Sequence, residues 1–234
     1  MIISHKYRFV FIHIYKTAGD SIASALSPFL GPDDIRTDDY RRQRGLGALG
    51  PPALNKHTSA ETCISLIGRE LWQQYSTFAV VRHPMDRAQS LFQYAKQRNE
   101  AWANVPWHRA LRQRLGLIDA PSSWALQRAV AAGDNFSAFI RRPSLQNHPA
   151  LKPQTEMLSD ATGRILVKKV MHFESLKAEF SDTIAALGLP ALSLPHLNRS
   201  TRSNTRPPSL QDQTFIAQRY RQDFETFGYS VERP

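Results

Sequence analysis

Two short stretches of the chain are apolar at almost every position, and each ends abruptly in polar, turn-prone residues. Tyr7-Arg8-Phe9-Val10-Phe11-Ile12-His13-Ile14 is one, and Thr77-Phe78-Ala79-Val80-Val81 is the other. Continuous β-branched and aromatic runs, without polar alternation, predict strands covered on both faces. Arg164-Ile165-Leu166-Val167-Lys168-Lys169-Val170 predicts a third strand. Between them the period lengthens to that of helices. A helix is expected from Asp20 through Leu26, stopped by Pro28. Thr58-Ser59-Ala60-Glu61 has capping-box spacing and should open a helix to about Ile67. Pro84 and Asp86 suit the first turn of a long helix reaching about Arg98. Two short helices are expected over 122–141, one from Glu174 to Leu187 ended by Gly188, and a terminal one from Ser209 to Phe224. Residues 31–55, rich in Gly, Pro, Asp and Arg, read as a long surface excursion, and 190–208 as a polar irregular segment.

Strands alternating with helices predict an α/β fold, a central mostly parallel sheet flanked by helices. A length of 234 residues fits one domain spanning 1–234. No internal repeat is visible. In such sheets, ligands bind beyond the carboxyl ends of the strands. The breaks at Tyr15 and at Arg82 are expected at that edge.

Composition narrows the partners. The formal net charge is +10, which favours anions: nucleic acid, acidic lipid or a charged small ligand. Short basic clusters occur at Arg41-Arg42-Gln43-Arg44, Arg109 to Arg114 and Arg199 to Arg206, without a zinc-finger or RNA-recognition signature. No nucleic-acid partner is expected; peripheral membrane association is left open. A single cysteine, Cys63, excludes an internal disulfide and a Cys-rich metal cage. No apolar run has membrane-spanning length and the start lacks a signal-peptide layout, so a cytoplasmic protein is expected.

Two segments carry phosphate chemistry. In Tyr15-Lys16-Thr17-Ala18-Gly19-Asp20-Ser21 a strand feeds a tight turn and the turn feeds a helix. Backbone N–H groups at a helix start point at any anion held there. Lys16 adds a cation; Thr17 and Ser21 add hydroxyls. The Walker A pattern Gly-x-x-x-x-Gly-Lys-Ser/Thr is absent. In Arg82-His83-Pro84-Met85-Asp86-Arg87-Ala88-Gln89-Ser90, a guanidinium fork ends a strand and a hydroxyl follows on the next helix. Two phosphate sites imply a ligand with two separated phosphates. Either segment alone is also what an ordinary strand–turn–helix junction looks like.

Together, and in this order, the two segments resemble the sulfotransferase superfamily, in its carbohydrate sulfotransferase (family 2) branch. The first resembles its 5'-phosphosulfate loop and the second its 3'-phosphate motif. The likeness extends to Lys56-His57, Gln154-Thr155-Glu156, Phe173-Glu174 and Leu197-Asn198-Arg199-Ser200. Tyr15 stands where many relatives have Pro, and Asp20 where Thr or Ser is usual. The Asp20 carboxylate removes a hydroxyl donor and opposes an anion, unless it caps the helix.

The resemblance implies a P-loop-like three-layer fold. It also implies a sulfuryl donor, 3'-phosphoadenylyl sulfate (PAPS), leaving as 3'-phosphoadenosine 5'-phosphate (PAP), with no required metal. The acceptor would be a hydroxyl, on a glycan or glycolipid. Lys16 would stabilise charge on the bridging oxygen, and Thr17, Ala18, Gly19, Asp20 and Ser21 would hold the 5'-phosphate. Arg82 and Ser90 would hold the 3'-phosphate, and Arg199, Ser200 and Thr201 would match a late loop over the nucleotide. His57, similarly placed in relatives, is the expected general base, with an ordinary pKa of about 6.5 suited to the task. His13, inside a strand, is its leading rival, and His83 a lesser one. Glu174 is expected either to orient a cationic side chain or simply to sit at a helix start. Trp102, Trp107 and Trp124 are candidates for stacking on sugar rings or for the core. Two other classes stay open: a nucleotide kinase or other phosphotransferase, which would need Mg²⁺, and a polyanion-binding module without turnover.

Overall fold

A computed structural model describes residues 1–37, 55–103, 124–195 and 207–231. The chain forms two compact units. One comprises Met1–His83, Pro153–Arg199 and Tyr220–Pro234; the other comprises Pro84–Lys152 and Ser200–Arg219.

The first unit holds a five-stranded sheet of order β3-β1-β2-β4-β5. Its strands are β1 (Ile2–Ser4), β2 (Phe9–Ile12), β3 (Ile35–Arg36), β4 (Ser76–Val81) and β5 (Lys169–His172). β2, β4 and β5 are parallel neighbours; β1 is antiparallel to both β2 and β3, so it alone is reversed. Alternation of side chains across the pleat sorts the apolar run of β2 into two cores. Phe9 and Phe11 face one side, with Phe78, Val80 and Met171; there Ile22 and Leu26 of helix α1 (Gly19–Leu26) cover them. Val10 and Ile12 face the other, with Ala79 and Val81, under Cys63 and Ile64 of α2 (Ala60–Ile67) and Trp72 of α3 (Arg69–Gln74). This makes three layers, helix on sheet on helix, and explains why the strand is apolar throughout. Cys63 is a buried core residue; burial pushes its thiol up to about 12.

Several boundaries move from their expected places. β3 lies in the segment read as a surface excursion and β1 in one given no element, because strands this short carry too little pattern to be seen. The predicted third strand forms only at its end. Ile165 makes an isolated bridge with Ser159, the Leu166 carbonyl accepts from the indole of Trp72, and regular pairing begins at Lys169. The helix after residue 58 is capped one residue later than expected: Ser59, not Thr58, accepts the N–H of Thr62, while the Thr58 hydroxyl closes a turn with Asn55.

The second unit is helical. Its members are α4 (Pro84–Ala103), α5 (Trp124–Ala131), α6 (Phe136–Arg141) and, after α7 (Gln154–Leu158) and α8 (Leu176–Ala186) of the first unit, α9 (Leu210–Arg219). Phe92 of α4 packs on Phe136 and Phe139. Asp212 of α9 accepts from Ser137 and from Arg141. The chain then returns to the first unit as α10 (Arg221–Phe227), so the expected terminal helix is broken at Tyr220. Among the described residues no helix is long and apolar enough to cross a membrane.

Candidate active site

The parallel register of β2 and β4 pairs Ile12 with Ala79, so both strands deliver their carboxyl ends to one edge. The turn after β2 is built from backbone. Lys16 has φ 67° and Ala18 φ 64°, both in the left-handed region that L-residues avoid. Left-handed residues on both sides of Thr17 turn the chain tightly, as in turns that hold anions through main-chain N–H groups. Helix α1 then opens at Ala18 without any side-chain cap, leaving its first N–H groups to other partners. The Thr17 hydroxyl is buried and donates to the Ile14 carbonyl at 3.1 Å, closing the turn. Its single proton is thereby engaged, so Thr17 offers an anion its backbone N–H rather than its hydroxyl. Ser21 is buried in the first turn of α1.

Gly19 is demanded by a neighbour. A Cβ at this position would lie 2.0 Å from Cδ2 of His13, inside any tolerable contact. The His13 ring fills the space under the turn, 3% exposed, and its Nδ1 has no hydrogen-bond partner. Burial first, and nearby positive charge second, hold its pKa well below the usual histidine range. This imidazole is a neutral filler beneath the turn, and its orphaned Nδ1 is already shut away from solvent.

His57 stands beside it, the two rings edge to face at 4.7 Å. The Nδ1 of His57 lies 2.8 Å from the His13 carbonyl. A carbonyl only accepts, so the proton is on Nδ1 and the basic lone pair is on Nε2. Burial lowers the pKa of His57 to about 3; the Lys56 charge acts in the same direction, and the His13 carbonyl and Asp20 act against it. One face of the ring is covered by Tyr15, stacked at 3.4 Å and 18°. The aromatic residue at the position where relatives carry Pro therefore packs against the expected base.

Asp20, the other departure, does not cap α1. Its carboxylate forms an ion pair with the Lys56 ammonium. The negative charge at the helix opening thus comes with its own counterion.

The turn after β4 is built from side chains. The Gln154 amide clamps Arg82 at both backbone groups, accepting its N–H at 2.9 Å and donating to its carbonyl at 2.8 Å. Gln154 and Thr155 in turn donate to Asp223 of α10, which is wholly buried. The Arg82 guanidinium lies over the Phe173 ring at 4.1 Å, a cation–π contact, and Nη1 donates to the Lys16 carbonyl at 3.3 Å. Among the described residues, the Glu174 carboxylate accepts the backbone N–H of His83 and the hydroxyl of Tyr229 rather than a Lys or Arg side chain.

Lys16, the α1 opening, His57 and Arg82 therefore gather at one sheet edge. Ser90 lies half-buried on α4, in the second unit. Arg199, Ser200 and Thr201 fall outside the described residues, as do Trp107 and the side chains of Trp102 and Trp124. The profile of the sulfotransferase family matches residues 1–230. The chain belongs to the sulfotransferase family. Membership makes it a transferase of sulfuryl groups and implies a PAPS-type donor and a hydroxyl-bearing acceptor. No curated protein and no solved structure gives a significant match. Within this sulfotransferase, four supporting roles were not readable from the chain: the Tyr15 stack, the Lys56–Asp20 pair, the Gln154–Asp223 clamp and the Phe173 platform. Lys56, Gln154 and Phe173 did belong to segments resembling the family, but spacing alone assigned them no partner.

Proposed function

We propose that this sulfotransferase moves the sulfuryl group of PAPS to a hydroxyl of a glycan or glycolipid, with His57 as general base. The observation that carries the reading is the meeting of the two turns: Arg82 Nη1 donates to the carbonyl of Lys16 itself. One nucleotide bearing phosphates on both ends would find the backbone nest under one and a guanidinium near the other. The residues fit such a group. The uncapped α1 opening supplies N–H donors, Lys16 a cation, and Arg82 a fork held by Gln154 and Phe173.

In the proposed reaction the acceptor oxygen forms a bond to sulfur as the bond from sulfur to the 5'-phosphate oxygen breaks. The acceptor proton passes to Nε2 of His57, and Lys16 balances charge on the leaving oxygen. His57 is suited to the part because its tautomer is set by the His13 carbonyl and its plane by Tyr15. A pKa of about 3 keeps the ring neutral at any working pH, although it makes a weak base. Anionic oxygens brought beside the ring favour its protonated form and raise that value during the reaction. The resemblance to the carbohydrate branch is what supports a sugar acceptor.

The test is a labelled-PAPS assay across sugars, glycolipids, phenols and simple alcohols, run on the wild type and His57→Gln. Turnover with a sugar hydroxyl is expected, falling in His57→Gln by about 10²–10⁴-fold, with PAP affinity retained. Near wild-type turnover in the variant removes His57 from the role. Stabilisation by ATP with Mg²⁺ but not by PAP would assign the site to phosphoryl transfer instead.

A further inference from the structure

A base must become a cation when it takes a proton, and the surroundings of His57 oppose that. When the acceptor proton adds at Nε2, Nδ1 keeps its own proton on the His13 carbonyl, so the ring gains one positive charge spread over both nitrogens. Burial resists this charge most. The Lys56 and Met1 ammonium groups resist it as well, while the His13 carbonyl and Asp20 favour it. The hydrogen bond of the ring goes to a neutral carbonyl rather than to a carboxylate. The neighbouring His13 ring, kept neutral by burial, supplies no counter-charge.

An aromatic face stands against the ring. Tyr15 lies nearly parallel to His57, with centroids 3.4 Å apart and planes 18° apart, so the imidazole is laid over the π face of the phenol. The His13 ring meets the same imidazole at 64°. A cation over the face of an aromatic ring is attracted by the ring's quadrupole, more strongly where water is kept out. A neutral imidazole in the same place lacks that attraction. The contact is therefore stronger after proton transfer than before it, which is the condition for assisting the step rather than only binding. Proline, the residue usual in relatives at this position, has no π face to offer.

We propose that Tyr15 is a positioning residue that strengthens the base, its π face stabilising the imidazolium formed on His57 during transfer. This rests on the assignment of His57 as base and deepens it. A Tyr15 that merely packed the turn would act alike on the neutral and the charged ring, and any apolar side chain of similar size would replace it.

Turnover is measured with labelled PAPS, and PAP affinity by calorimetry, with thermal melting as a check on folding. The chains compared are wild type, Tyr15→Leu, Tyr15→Phe and one carrying a trifluorinated phenylalanine at position 15. Fluorine drains charge from the ring face and leaves its shape nearly unchanged. Tyr15→Leu is expected to lower kcat about tenfold with PAP affinity unchanged, Tyr15→Phe to stay within about threefold of wild type, and the fluorinated chain to fall between them. In His57→Gln, which forms no imidazolium, adding Tyr15→Leu is expected to cost nothing further. Wild-type kcat in Tyr15→Leu, an equal loss in Tyr15→Phe, a fluorinated chain as active as Tyr15→Phe, or the same loss in the His57→Gln background each overturns the proposal. A His57→Gln chain turning over near the wild-type rate would instead sink the base assignment beneath it.

Discussion

In the proposed reading, the two turns at the carboxyl edge of the sheet would each meet a phosphate, and they are built from different materials. After β2, the candidate anion site is main chain, held in left-handed conformations at Lys16 and Ala18 and propped from below by His13. After β4, it is one side chain, Arg82, whose backbone is clamped by Gln154 and whose guanidinium rests on Phe173. The difference teaches where each site can vary. A backbone cradle keeps its donors when side chains change, so Tyr15 and Asp20 can replace the residues usual in relatives. Those two side chains are then available for other work, stacking on His57 and pairing with Lys56. A site made from one guanidinium has no such latitude, and its support reaches through Gln154 to Asp223 in the last helix.

The strongest way to break the comparison is Gly19→Ala. Its methyl group meets the His13 ring at 2.0 Å, so the cradle must deform. Overpacking of this kind costs about 1–3 kcal/mol or more, and nucleotide binding should be lost with it. His13→Ala in the same chain removes the obstacle and should recover most of the stability, read as a urea midpoint. Next comes Gln154→Leu, which removes the two Gln154 side-chain bonds to the Arg82 backbone and one long bond to Asp223, while Asp223 keeps its backbone and Thr155 donors. A loss of about 1–3 kcal/mol is expected, with weaker PAP binding although no charge is removed. Thr17→Val deletes the hydroxyl bond to Ile14 and should cost about 1 kcal/mol, while PAP affinity changes little, because the N–H donors remain.

The smallest effect is a drift with pH. His57 is depressed from 6.5 to about 3 in the folded chain, and His13 is lowered too. Above about pH 6.5 both states leave these rings neutral, and neither contributes to the pH slope. Below it, the unfolded chain takes up protons that the folded chain refuses, so stability falls as pH drops towards about 3. Urea midpoints at pH 7.5 and 5 should show the decline, and His57→Gln should reduce it. The pH profile of kcat/KM, which reports the free enzyme, should lack the fall near pH 6.5 that an ordinary histidine base produces.

Much of this architecture was legible in the chain because burial leaves a strong local record. The runs in β2 and β4 are apolar at every step since both faces of the sheet are covered, and the anion turns follow them at once. Short strands leave no such record: β1 owes its conformation to pairing with β2 and β3, and β3 to pairing with β1, not to their own few residues. The cap at Ser59 was missed by one residue because Thr58 presents the same chemistry and is claimed by Asn55. At the site, the candidate residues could be named from the chain, but not the side chains that pack and clamp them. Gln154 reaches Arg82 across 72 positions, and His57 reaches His13 across 44. Contacts at that separation follow from the sheet order, which no local pattern encodes.

The central claim is that the main-chain turn at Lys16 and the guanidinium of Arg82 serve opposite ends of one nucleotide. Calorimetric titration of wild type and Arg82→Ala with PAP and with 5'-AMP, which lacks the 3'-phosphate, tests it most directly. Wild type should prefer PAP by about 10- to 100-fold, the value of one charge-assisted contact, and Arg82→Ala should bind the two alike. A variant that keeps the full preference for PAP would contradict the account.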